Sequence, residues 1–182
     1  MRTRFFVSMI MLLGCILVSN AQDYSTLKDV TLKAKEDYIK AESKVLECSK
    51  YILTTPVDDE NTNRINAMRF MYRWMDGTPD YTFTLDDTFG KLSQTSDAIV
   101  GVYMACMCRY VLENKDKAKN DKDVKYNSVL MLIDYSRDPD HNVEISGEME
   151  NLIKAKDEQR LKEYINVIEG QMVKIVYLSW YV

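Results

Sequence analysis

The sequence predicts an all-α protein of antiparallel helix hairpins, packed as a bundle or as a short tetratricopeptide-like solenoid. Three observations lead there. Only three Pro and six Gly punctuate 182 residues. The long segments between them repeat apolar residues every three or four positions rather than every second one. The stretches separating those segments are short and carry Pro, Gly or dense charge, as helix-to-helix connections do.

The first element is a leader. Arg2 and Arg4 precede an apolar run from Phe5 to Val18, and Ser19-Asn20-Ala21 puts small residues at the −3 and −1 positions of a signal-peptidase site. Cleavage is expected before Gln22, leaving one helical domain over 22–182. The run falls short of the roughly 20 residues a membrane span needs. Leu12-Leu13-Gly14-Cys15 also fits a lipobox, so lipid anchoring at Cys15 is the competing route, although Ile16-Leu17-Val18 carry the apolar run past the Cys.

The mature chain then divides into helices. From about Thr31 to Thr54, Tyr38, Ala41, Val45, Cys48 and Ile52 form an amphipathic stripe, which Thr54-Thr55-Pro56 ends because the residue before Pro is pushed out of the α region. A second helix is expected from Asp59 to Met75, with Ile65, Met68, Met71 or Tyr72, and Met75 buried. Asp76-Gly77-Thr78-Pro79 supplies its stop. Between Asp80 and Thr95 the pattern weakens: Tyr81-Thr82-Phe83-Thr84-Leu85 alternates like a short strand, and Asp86-Asp87 suits a helical turn, so this reads as a structured connection. The third long helix, from Ser96 to Asn114, is apolar nearly all round and should be central. Ala98, Gly101, Ala105 and Cys108 give it one face of small side chains that lets another helix come close.

Asn114 to Asp123 is a solvated connection with four Lys against three Asp. A fourth helix runs from Val124 to Arg137 on Tyr126, Val129, Leu130 and Ile133, and Asp138-Pro139-Asp140-His141-Asn142 breaks it. Gly147 to Ile168 keeps helical spacing as two helices with a break near Lys156-Asp157, and Gly170 is a natural terminator. The segment from Met172 to Val182 is too apolar to float free and should dock on the domain or on a partner.

Composition narrows the function. The chain carries 24 Lys and Arg against 28 Asp and Glu. Removing the leader takes two Arg and no acid, which leaves 22 against 28, a net of −6. A mildly acidic chain of mixed charges has no electrostatic footprint for nucleic acid. Cys48, Cys106 and Cys108 remain after cleavage. Cys106 and Cys108 are two apart on a helix and point different ways, so at most one could meet Cys48, and all three read as small buried apolar residues.

Catalytic patterns are sparse. His141 is the one His, in a Pro- and Asp-rich loop where it is expected to be solvated, and no nucleophile elbow or paired zinc-ligand spacing accompanies it. Asp138, Asp140 and Asn142 alternate like early calcium ligands, but Val143 stands where the loop needs Gly, so a helix-end turn is the better account. Asp58-Asp59 and Asp86-Asp87 suit helix starts better than an acid and base pair. No cofactor and no metal is expected. What remains is a recognition surface of Arg73, Trp74, Asp80, Tyr81 and Phe83, an Arg and aromatics at a helix end of the kind binding hot spots favour. The plainer account is that Trp74 and Phe83 pin the connection to the core.

Over Trp74-Met75-Asp76-Gly77-Thr78-Pro79-Asp80-Tyr81-Thr82-Phe83, the helix before it and Asn20-Ala21-Gln22, the chain resembles small uncharacterised exported proteins of Bacteroidota. That resemblance implies a periplasmic or secreted location and brings no activity or catalytic residue with it. The sequence therefore points to an exported module that binds another protein or an envelope component without catalysis, with a carboxylate-dependent hydrolase as the competing class.

Overall fold

The computed structural model describes residues 23–84, 87–94, 96–145 and 147–168, and these are all-helical, with no strand among them. The leader, its cleavage site, Cys15, Gly170 and the apolar segment 172–182 lie outside the described residues.

Helix α1 is Lys35–Ile52 and buries Ala41, Val45, Cys48 and Ile52, the stripe its spacing predicts. It starts four residues later than Thr31. The Asp37 carboxylate turns back to accept the N–H groups of Lys33 at 3.1 Å and Ala34 at 3.0 Å, which fixes the first turn there. Those two bonds also hold the Asp37 carboxyl below its ordinary pKa.

Helix α2, Thr62–Gly77, begins where Asn61 accepts the Arg64 N–H at 3.0 Å. Asp58 instead accepts the Glu60 N–H and closes the turn before the helix. The buried stripe is Arg64, Ala67, Phe70, Met71, Trp74 and Met75. It is rotated from the expected one: Ile65, Met68 and Tyr72 are only half-buried and face a cleft.

The connection after Pro79 holds a short helix, α3, at Asp87–Ser93. Residues 81–84 belong to no helix or strand. Their alternation has another cause, because Tyr81 and Phe83 both turn in onto the Trp74 ring, with centroids 5.4 and 6.0 Å away.

Helix α4, Asp97–Glu113, is capped by Ser96, whose side chain accepts the Ala98 N–H, and is buried on nearly every side. A Cβ added at Gly101 would stand 2.1 Å from Met68 Cε and 3.0 Å from Tyr72 Oη, so this position of the small-residue face is where α2 comes close. Helix α5 is Asp121–Arg137, three residues longer at its start than periodicity suggested, since Asn120 caps it and Asp121 and Asp123 suit the positive end of its dipole. A 3-10 turn, Pro139–His141, leads to α6, Glu148–Asp157. The break then falls at 158–160, where Gln159 takes a left-handed φ of 58° and Arg160 N–H returns to the Ala155 carbonyl at 2.8 Å. Residues 161–168 form α7.

One element had no sequence signal. Ser25–Asp29 is a single 3-10 turn, too short to show a period, held by Tyr24 and Leu27, of which Tyr24 stacks on Tyr51 at 4.7 Å.

Helices α1 and α2 form an antiparallel hairpin, because the start of α2 touches the end of α1 (Arg64 to the Ile52 carbonyl) and its end touches the start of α1 (Trp74 to the Tyr38 carbonyl). Helices α4 and α5 form the second hairpin, and α1 packs against α4 to join the two. One contiguous apolar core runs from Tyr24 through α1, α2, α4 and α5 to Leu161 and Ile165. Among the described residues no helix is long and apolar enough to cross a membrane.

Candidate functional site

Of the five sequence-predicted residues, Trp74, Tyr81 and Phe83 pack together where α2 ends, while Arg73 and Asp80 reach to other partners. Trp74 is fully buried, and its Nε1 donates to the Tyr38 carbonyl at 3.0 Å. It supports this end from beneath and presents no surface. Arg73 extends its guanidinium over the first 3-10 turn, donating to the carbonyls of Leu27, Lys28 and Val30 at 3.3, 3.2 and 2.7 Å. Asp80 pairs with Lys35 at 2.5 Å. The Tyr81 hydroxyl donates to Glu42 at 3.2 Å, and burial, reinforced by that carboxylate, pushes its pKa up to about 12. Phe83 is the one of the five whose ring divides two surface clefts.

A groove that periodicity did not reveal runs along the seam of α2 and α4. At one end Ile65, Met68, Arg69 and Tyr72 face Asp97 and Ala98 across a cleft of about 270 Å³. At the other, Tyr72, Arg73, Met75, Asp76 and Phe83 face Met104 across about 620 Å³. Tyr72 belongs to both. Burial pushes its phenol up to about 12, so it stays neutral and able to donate a hydrogen bond at physiological pH. No sequence signal announced it, because the rotation that turns Arg64 and Trp74 inward leaves Met68 and Tyr72 half-buried at the seam and is set by long-range contacts.

Sequence reasoning also missed Arg64. It is 3% exposed, and its Nη1 donates to the carbonyls of Ile52 at 2.5 Å and Thr55 at 3.1 Å, and to the Thr55 hydroxyl at 2.9 Å. Its Nη2 reaches the Tyr135 hydroxyl at 3.3 Å, which itself donates to the Thr55 carbonyl at 2.7 Å. A cation at the carbonyl end of α1 meets the negative end of the helix dipole, and that compensates part of its burial.

His141 joins the same knot and is not a solvated loop residue. Its ring stacks on Tyr135 with centroids 4.0 Å apart, its Nδ1 lies 2.9 Å from the Tyr135 carbonyl, and its own carbonyl accepts the Val57 N–H at 2.9 Å. Asp138 accepts the Asp140 N–H and Asn142 takes a left-handed φ, so the alternating acids shape a helix-end turn. No group of three metal-ligating side chains converges among the described residues.

Cys48, Cys106 and Cys108 are free and fully buried. Burial pushes the Cys48 thiol up to about 12 and the other two higher, so none supplies a thiolate at neutral pH. The carboxyls of displaced pKa move the other way. Asp37 is lowered by backbone N–H groups, Asp23 by its bonds to Ser25, and Glu113 by Lys50 and Arg109, whose hydrogen bonds outweigh a burial effect that opposes them. A general acid working near neutrality needs a carboxyl shifted upward.

No known protein family, characterised protein or solved structure matches this chain.

Proposed function

We propose that this is an exported helical module that binds another protein or a component of the cell envelope through the α2–α4 seam, with no chemistry of its own. The observation that carries the reading is the lining of that seam. Met68, Met75 and Met104 are unbranched and polarizable, and adapt to irregular apolar surfaces, while Tyr72 and Phe83 offer rigid aromatic area. Arg69 with Asp97 at one mouth, and Arg73 with Asp76 at the other, give a rim of both charge signs. An apolar peptide segment flanked by polar residues fits this chemistry better than a small polar substrate does.

Export rests on Arg2, Arg4, the apolar run Phe5 to Val18 and the small residues before Gln22. The resemblance to exported proteins of Bacteroidota points the same way.

The test uses the full-length gene in a host that exports it, with a photo-reactive phenylalanine analogue at Arg69 on the rim and, as control, at exposed Lys154 on α6. Intact mass should show a chain starting at Gln22. Irradiation should give one discrete adduct from position 69, none from position 154, and loss of the adduct on adding Tyr72→Ala. A chain retained with residues 1–21 would overturn the export reading, and equal labelling from both positions would overturn the binding seam.

A further inference from the structure

A second cleft lies on the other side of Phe83, and we propose that its occupant is this chain's own segment 172–182. The cleft measures about 380 Å³. Phe83, Tyr103, Met107 and Val124 supply its apolar lining beside Thr82 and Thr84, and Asp87, Asp121, Lys122 and Lys125 line it too. Tyr81 and Phe83 turn inward onto Trp74 while Thr82 and Thr84 are exposed, and residues 82–84 all line the cleft. Apolar side chains set among charged ones, beside a stretch of backbone outside any helix, suit a chain segment that is mostly apolar but carries Lys174 and Ser179.

Three observations choose the occupant. Ile168 is 2% exposed, so the chain is still on the body of the protein at the last described residue. Just before it, Ile165 and Asn166 line a cavity with Asn120, Asp123 and Tyr126 at the start of α5, and that cavity shares Lys122 and Lys125 with the cleft. The two lie side by side around one helix start. Finally, Met172 to Val182 contains only Lys174 and Ser179 as polar residues, and leaving such a run in water forfeits burial of large apolar area.

Reach is no obstacle. Fourteen residues follow Ile168 and span at most about 46–50 Å when extended, against a radius of gyration near 15 Å for a domain of this size. This proposal stands apart from the binding seam, since the two clefts meet only at Phe83.

The experiment places the same photo-reactive analogue at Thr82 in the purified mature chain and maps the cross-link by peptide mass spectrometry at several protein concentrations. The expected product is an intramolecular link from position 82 to a peptide within 172–182, with a yield that does not change on dilution. A second measurement avoids substitution in the cleft: a stop after Ile168 should keep the helical circular dichroism and speed amide exchange at 82–84 by roughly tenfold or more. A link to another copy that fades on dilution, a link to a co-purified molecule, or no link to 172–182 would each overturn the proposal. So would unchanged exchange in the folded truncated chain. If truncation unfolds the protein, the cross-link alone decides.

Discussion

The two ends of α2 are held by opposite means. At its start, Arg64 gathers the Ile52 and Thr55 carbonyls, the Thr55 hydroxyl and the Tyr135 hydroxyl around one guanidinium. At its end, Trp74 fills the gap under Tyr81 and Phe83 and makes a single polar bond, to Tyr38. The first end is a directional polar knot joining α1, α2 and α5; the second is apolar mass. A charge placed among neutral acceptors returns little net free energy but tolerates only one arrangement. A buried indole contributes much and constrains orientation less. The hairpin is therefore positioned at one end and anchored at the other, and the seam between α2 and α4 opens along the length between them.

The largest expected effect is at the anchored end. Trp74→Ala should cost about 3–5 kcal/mol, from lost transfer free energy plus the cavity left under Tyr81 and Phe83. Against a total stability of about 5–15 kcal/mol for an ordinary domain, that removes a large share and lowers the midpoint of denaturant unfolding in proportion. Trp74→Phe keeps most of the packing and removes one hydrogen bond to the Tyr38 carbonyl, which stays within the α1 ladder, so about 0.5–1.5 kcal/mol is expected. If the two variants unfold alike, the hydrogen bond matters more than the mass and the contrast between the ends fails.

Arg64→Ala comes next, at about 2–4 kcal/mol, because the Ile52 carbonyl at the end of α1 loses its guanidinium donor and the Thr55 carbonyl keeps only the Tyr135 hydroxyl. Arg64→Lys should recover less than half of this, since one ammonium cannot span the fork from Ile52 to Tyr135. Equilibrium unfolding measures both. A lysine variant as stable as the native chain would show that charge alone, and not the fork, holds this end.

This contrast also explains what was legible in advance. The α1 stripe, the central α4 and the break after α6 follow from local spacing, and each stands within a few residues of where the periodicity puts it. Arg64 was illegible because a charged residue early in a helix reads as solvated, and its partners Thr55 and Tyr135 are 9 and 71 residues away. Tyr81 and Phe83 gave the right alternation for the wrong element, since a chain packing flat on a Trp alternates as a strand does. In the candidate site, Trp74, Tyr81 and Phe83 pack on one another while Arg73 and Asp80 bond elsewhere, and which of the five lies inside follows from the rotation of α2. That rotation is set by Arg64, through contacts no local pattern carries.

Between the two ends the core holds groups that must stay neutral. Tyr72 and Cys48 have pKa values pushed up to about 12 by burial, and Cys106 and Cys108 go higher still, from ordinary values near 10 for the phenol and 9 for thiols. For a group raised in the folded state, the stabilising difference is complete below the unfolded pKa and is lost as pH climbs through the folded one. Each buried thiol should thus lower stability as pH rises from about 9 toward its raised folded pKa. Stability measured at pH 8, 9.5 and 10.5 should fall progressively, and thiol labelling at pH 8 should proceed only at the rate of unfolding. Labelling that is fast in the native state would mean the core opens locally at α4.

The smallest effect separates the knot from the cap beside it. Asn61 accepts the Arg64 N–H at 3.0 Å, while Asn120 caps α5 through a longer bond of 3.4 Å to the Asp123 N–H. Asn61→Ala should cost about 1 kcal/mol, and Asn120→Ala less, by the usual range for a lost N-cap. In a double mutant with Arg64→Ala, the cost of Asn61→Ala should shrink, because the cap and the guanidinium orient the same first turn; Asn120→Ala, on another helix, should add independently. Additivity of Asn61→Ala with Arg64→Ala would mean that the backbone bond and the side-chain fork act separately, so that α2 is positioned by its cap and not by the buried Arg.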